Sequence, residues 1–132
     1  MMIAARAYAQ ASKETASRER LMVMLFEAAL RHMRHAASLM EKQQIVEALP
    51  LLTRASDIVA ELANTLDAKA APELAQTLGD LYMFVAQRLA RASAFRDLFA
   101  VRDAERAFAP IVEAFQQAVA ATHRATGPVG VP

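Results

Sequence analysis

The chain contains no cysteine. Without a thiol there is no disulfide framework, no thiolate metal site and no cysteine nucleophile, a composition that suits a reducing compartment. Glycine is scarce, with three residues. No glycine loop precedes a helix to cradle phosphate, and no Gly-x-Ser-x-Gly elbow presents a serine nucleophile. β-branched runs, the usual raw material of sheets, are nearly missing. No uncharged apolar run reaches the ~18 residues needed to span a bilayer, and Met1–Ser12 carries Arg6 where a signal peptide needs a continuous apolar core. Charge of one sign is lacking too: 15 Lys and Arg stand against 14 Asp and Glu, a net charge of +1. So small a total gives no large field toward phosphate backbones or anionic lipid. These absences describe a cytoplasmic protein with no nucleic-acid partner and no membrane insertion.

What is present is helix-forming material: 55% apolar residues in 132 positions, rich in alanine and leucine. That length supports one domain with a real core, over 1–125, and the propensities favour an all-α fold. Residues 1–14 form a small-residue segment, helical around Ile3–Ala11, whose freedom to move is expected. Ser17 has the chemistry of an N-cap and Glu19 that of a first-turn carboxylate. A long helix is then expected over 18–41, with Met22, Leu25, Phe26, Ala29, Met33, Ala36 and Met40 recurring at steps of three and four. The polar run Lys42-Gln43-Gln44 links it to a second helix over about 45–66, with Pro50 near its first turn. Pro72 and Glu73 mark the start of a third, over about 72–92. A fourth begins near Asp97 and runs to about Arg124, and Pro110 should kink or split it. The tail, 126–132, is expected to be flexible. Four amphipathic segments with short links define an antiparallel up-down four-helix bundle with a short N-terminal helical segment.

Chemistry is thinly represented. A di-iron bundle needs inward carboxylates and Glu-x-x-His pairs, and no Glu-x-x-His occurs. His32 and His35 are three apart on one helix, but no carboxylate accompanies them, so neither metal nor cofactor is expected. The arginines are interleaved with acids and lack companion aromatics, which suits a solvated face better than RNA. The surplus is apolar. Most of the Met and Leu stripes belong to the bundle's own core. Met22, Met24, Met33, Met40 and Met83 add flexible side chains of the kind that line a groove for a partner helix.

Three blocks carry a resemblance. They are Thr15-Ala16-Ser17-Arg18-Glu19-Arg20-Leu21-Met22-Val23-Met24-Leu25-Phe26, then Ala55 through Asp67 with Ile58-Val59-Ala60-Glu61-Leu62 at its centre, then Leu78-Gly79-Asp80-Leu81-Tyr82 running on to Arg88-Leu89-Ala90-Arg91-Ala92-Ser93. In order and spacing the chain resembles the flagellin export chaperones, the FliS family, over about residues 8–120. The resemblance implies a non-enzymatic helical bundle that binds the disordered C-terminal segment of flagellin along its grooves. Binding would block premature polymerisation and deliver flagellin to the flagellar type III export gate, and an anti-sigma factor is a further implied partner. It also implies partner-binding roles for Tyr8 and Thr15, for Leu21, Leu25 and Phe26 of the first helix, for Ile58, Leu62 and Leu66 of the second, and for Leu81, Tyr82, Val85 and Leu89 of the third. The N-terminal segment around Tyr8 would occupy part of the site until flagellin displaces it. The chain departs from the family pattern at Lys13 (usually apolar), Arg18 (proline), Phe26 (tyrosine), Ala28 (glycine), His32 (aromatic), Ser93 (asparagine) and Phe115 (tryptophan). Stoichiometry stays open between monomer and weak homodimer. The alternative function is a helical scaffold serving another partner.

Overall fold

The computed structural model describes residues 2–126. Four helices fill it: α1 (Met2–Glu41), α2 (Ile45–Asn64), α3 (Pro72–Phe95) and α4 (Leu98–Thr126). Each packs on the next in sequence, α4 closes the ring against α1, and α1 and α3 stand diagonally apart. Polar contacts show that α1 and α4 run antiparallel along their shared length. Glu41 pairs with Arg102, Arg34 with Glu105 at 3.5 Å, and the Gln116 amide donates to Glu27 at 3.3 Å. His123 Nε2 lies 3.4 Å from Glu19 at the far end. The expected up-down bundle is therefore the fold.

α1 departs from expectation. It begins at Met2 rather than near Arg18, and Ser17 caps nothing because the helix passes through it. Six alanines between Ala4 and Ala16 supply the best intrinsic helix propensity. Thr15, lying mid-helix, turns its hydroxyl back to donate to the Ala11 carbonyl at 3.0 Å. The expected N-terminal helical segment and the first helix are thus one rod, whose residues 2–15 are exposed throughout. α4 likewise stays one helix through Pro110, an exposed residue. The proline leaves the Arg106 carbonyl without its helical donor, on a turn that solvent reaches. Pro50 lies inside α2 on the same terms. The tail expected to be flexible falls, after Thr126, outside the described residues.

The turns are made by specific side chains. Asp67 accepts the amides of Lys69 and Ala70 at 3.0 and 3.1 Å, bending the chain toward Pro72 at the start of α3. Arg96 adopts the left-handed conformation (φ 54°) that ends α3, and the Asp97 carboxylate accepts the Ala100 amide at 3.2 Å to start α4. The Arg91 guanidinium, 3.0 Å from Asp97, holds that carboxyl below its ordinary range.

Among the described residues the buried core is wholly apolar. Toward the α1–α2 and α3–α4 turns it is built largely from fully buried alanines: Ala36, Ala37 and Ala48, then Ala92, Ala100 and Ala104. Small side chains let helix backbones approach closely. Larger residues, Phe26, Leu62, Tyr82 and Phe108, fill the rest, each contributing roughly 1.5–3 kcal/mol of burial.

Candidate functional site

At the end of the bundle away from those turns, the helices do not close over their apolar faces. The first turns of α3 present Leu74, 58% exposed, and the half-buried Leu78. Across from them α4 presents Pro110, Ile111, Ala114, Phe115 and Ala118. Together they line a furrow of about 450 Å³ whose floor is Phe26. Its walls are almost entirely carbon. Round the start of α3 it is continued by a second hollow of about 260 Å³, which shares Phe26, Leu74, Leu78 and Phe115 and adds Met22, Leu66 and Tyr82.

The floor is held by ring packing. The Phe26 ring lies 4.8 Å from that of Phe115 and 5.8 Å from that of Phe108, both tilted. Phe26 and Phe108 are buried, while Phe115 keeps part of its surface open to the furrow. Burial pushes the Tyr82 phenol above its ordinary ionisation range, so it presents a neutral hydroxyl.

The structure divides the residues singled out from sequence into three groups. Phe26, Leu66 and Tyr82 reach the furrow or its continuation. Leu62, Val85 and Leu89 have no exposed surface and belong to the core, and Leu25, Ile58 and Leu81 are half-buried at its edge. Tyr8, Thr15 and Leu21 are exposed on α1, with Tyr8 77% accessible. Tyr8 and Thr15 line a separate shallow recess with Thr122 and His123 of α4, one helical turn along α4 from Ala118 at the furrow's edge. Continuing the 3.6-residue period of the core stripe (Met22, Phe26, Ala29, Met33) back along α1 passes through Thr15, Ala11, Tyr8 and Ala4. The projecting arm therefore carries the core-facing side of α1 beyond the bundle.

Leu74, Leu78, Ile111 and Phe115 were readable as members of apolar stripes, but not as furrow residues. Pro110 was the available signal, because a proline amid apolar residues favours an exposed turn of helix.

A polar groove of about 660 Å³ lies between α1 and α4, where Arg31, Arg34 and His35 meet Glu27 and Glu113. His32 sits half-buried nearby. Its ionisation is lowered by partial burial and then by the charges of Arg31, Arg54 and His35. Among the described residues no three His, Asp or Glu side chains gather into a metal-holding group, and no helix is long and apolar enough to cross a membrane.

An antiparallel helical bundle with an open apolar furrow has the form of a binding bundle. Comparison with known proteins narrows the class. The profile of the family described as "Flagellar protein FliS" matches residues 1–122. The chain is 32% identical over 117 residues to the flagellar secretion chaperone FliS of Salmonella typhimurium, covering 85% of this chain and 87% of that protein. It is 33% identical over 100 residues to the flagellar secretion chaperone FliSB of Pseudomonas aeruginosa, covering 73% and 79%. The chain belongs to the FliS family, which is a family of chaperones and not of enzymes.

Proposed function

We propose that the chain is a cytoplasmic export chaperone whose furrow receives the C-terminal segment of flagellin as an amphipathic helix, keeping it from polymerising and handing it to the flagellar type III export apparatus. The observation that carries this reading is the open apolar furrow between the start of α3 and the middle of α4, with Leu74 exposed and Phe115 partly so. A helix that self-associates in the filament through its apolar face loses the drive to assemble once that face is covered. The furrow offers a surface of matching character. A client that is disordered when free spends conformational entropy on folding, which holds affinity in a releasable range despite a large contact. In this reading Phe26, Leu66 and Tyr82 act at the site together with Leu74, Leu78, Ile111 and Phe115. Leu62, Val85 and Leu89 serve it only by holding the helices in place.

Titrating the full chain with a peptide spanning the flagellin C-terminal segment tests this. Submicromolar binding with a gain in peptide helicity by circular dichroism is expected, and no binding of flagellin lacking the segment. Equal binding of intact and truncated flagellin would contradict the reading.

A further inference from the structure

α1 is one-sided in charge. Arg6, Lys13, Arg20, Arg31 and His35, with Lys42 in the turn just beyond, follow one another at steps of four, seven or eleven residues, each close to a whole number of helical turns. They form a single exposed row on the side of α1 turned away from the core. Of the acids of the same helix, Glu14, Glu19 and Glu41 lie off that row, while Glu27 stands at its edge, seven residues after Arg20 and four before Arg31. Glu19, Glu27 and Glu41 reach across to His123, Gln116 and Arg102 of α4, while Glu14 accepts from Gln10 on its own helix. Glu27 and Glu113 share the α1–α4 groove with Arg31 and His35, but the side chains of Arg6, Lys13, Arg20, Arg31 and Lys42 form no hydrogen bond or ion pair among the described residues, and Arg6 and Lys13 lie beyond that groove. Exposed apolar side chains accompany it, with Met2 72%, Met24 59% and Leu21 55% accessible.

The near-neutral total charge hides this arrangement. Residues 1–42 hold seven Lys and Arg against four acids, whereas residues 43–87 hold two against six. The basic side of the molecule is α1, and the acidic stretch runs from α2 into the first half of α3.

We propose that the outward row of α1 is a docking surface for an anionic lipid bilayer, with the helix lying lengthwise on the headgroups and no segment crossing them. From Arg6 to Lys42 the row extends about 54 Å at 1.5 Å per residue. A rod of that length meets a plane at every point. Cations spaced along it are drawn to the negative surface potential while Met2, Leu21 and Met24 enter the boundary of the acyl region. The acidic stretch of α2 and α3 orients the molecule, since repulsion turns that side away from the bilayer. Nucleic acid fits less well, because the row carries no Phe, Tyr or Trp for base stacking. A single acidic helix would need to be as long as α1 to use all of it. The furrow between α3 and α4 takes no part, so this inference stands apart from flagellin binding.

Co-sedimentation of the full chain with vesicles tests it, comparing phosphatidylcholine alone with phosphatidylcholine containing about a third phosphatidylglycerol, at low and high salt. Binding to the anionic vesicles alone is expected, weakening as salt rises. The combined variant R6Q/K13Q/R20Q/R31Q should lower the partition coefficient at least about tenfold, given the attraction each basic residue has for such a surface. R54Q/K69Q/R96Q/R124Q, an equal charge change off the row, should lower it less than about threefold. Circular dichroism and melting temperature confirm that both variants fold. Three results would overturn the proposal: no binding to anionic vesicles, equal losses in the two variants, or capture of the chain by soluble polyglutamate or RNA as tightly as by vesicles at equal charge concentration.

Discussion

Phe26 belongs at once to the core and to the surface that offers itself to a partner. Its ring is buried against Phe108 and Phe115, yet it floors the furrow. Leu62 is the contrast, since it has no exposed surface at all and any change there reaches function only through folding. His32 carries the clearest pH dependence. Its ionisation is held below the usual value of about 6.5, first by partial burial and then by Arg31 and His35 on α1 and Arg54 on α2. A base with a lowered native pKa is protonated more readily in the unfolded chain. Its contribution therefore leaves stability intact above about pH 6.5 and subtracts from it as pH falls through the window below. In His32→Gln, the drop in urea midpoint between pH 7 and pH 5 should be smaller than in the parent. An identical drop in both would remove His32 as its source.

Among the elements, α1 is the unusual one, because its residues 2–15 continue the helix with almost no tertiary packing. An isolated helix of that length is marginal in water. Amide exchange along α1 should therefore be graded: residues 4–15 should exchange with little protection, while Phe26 to Met40 should show protection approaching that of global unfolding. Uniform protection along the helix would mean that the arm is covered. The helices themselves were legible in the sequence, since the stripe from Met22 to Met40 and the Pro72-Glu73 start depend only on local spacing and propensity. The start of α1 was not. Thr15 and Ser17 have capping chemistry, but the alanines around them outweigh it and Thr15 spends its hydroxyl on Ala11. Pro110 was read as a kink or a split, and α4 is not split, since an exposed turn tolerates the lost hydrogen bond. Core and furrow could not be separated either. Periodicity shows which side of a helix is apolar, whereas whether Val85 or Leu78 is covered depends on how closely the neighbouring helix approaches. That distance is set by residues remote in sequence, such as Ala100 and Ala104.

At the scale of the whole molecule, the bundle is tight at one end and open at the other. Alanines at the α1–α2 and α3–α4 turns let the helices meet, and the bulk of Phe26, Leu78 and Phe115 leaves an apolar furrow at the opposite end. Charge is distributed as unevenly as volume, with an unpaired basic row on α1 and an acidic stretch running from α2 into α3. Membership of a chaperone family and an open apolar furrow lead to the same expectation, that a client helix is covered at the start of α3. Leu74 is the place to test it, because it is exposed in the first turn of α3, where an introduced carboxylate complements the helix dipole and should leave the fold unharmed. Measured by titration calorimetry with the flagellin C-terminal peptide, Leu74→Asp should weaken binding at least about tenfold, as expected for a charge forced into an apolar contact, with the melting temperature unchanged. Parental affinity in Leu74→Asp would contradict the assignment of the furrow as the client site.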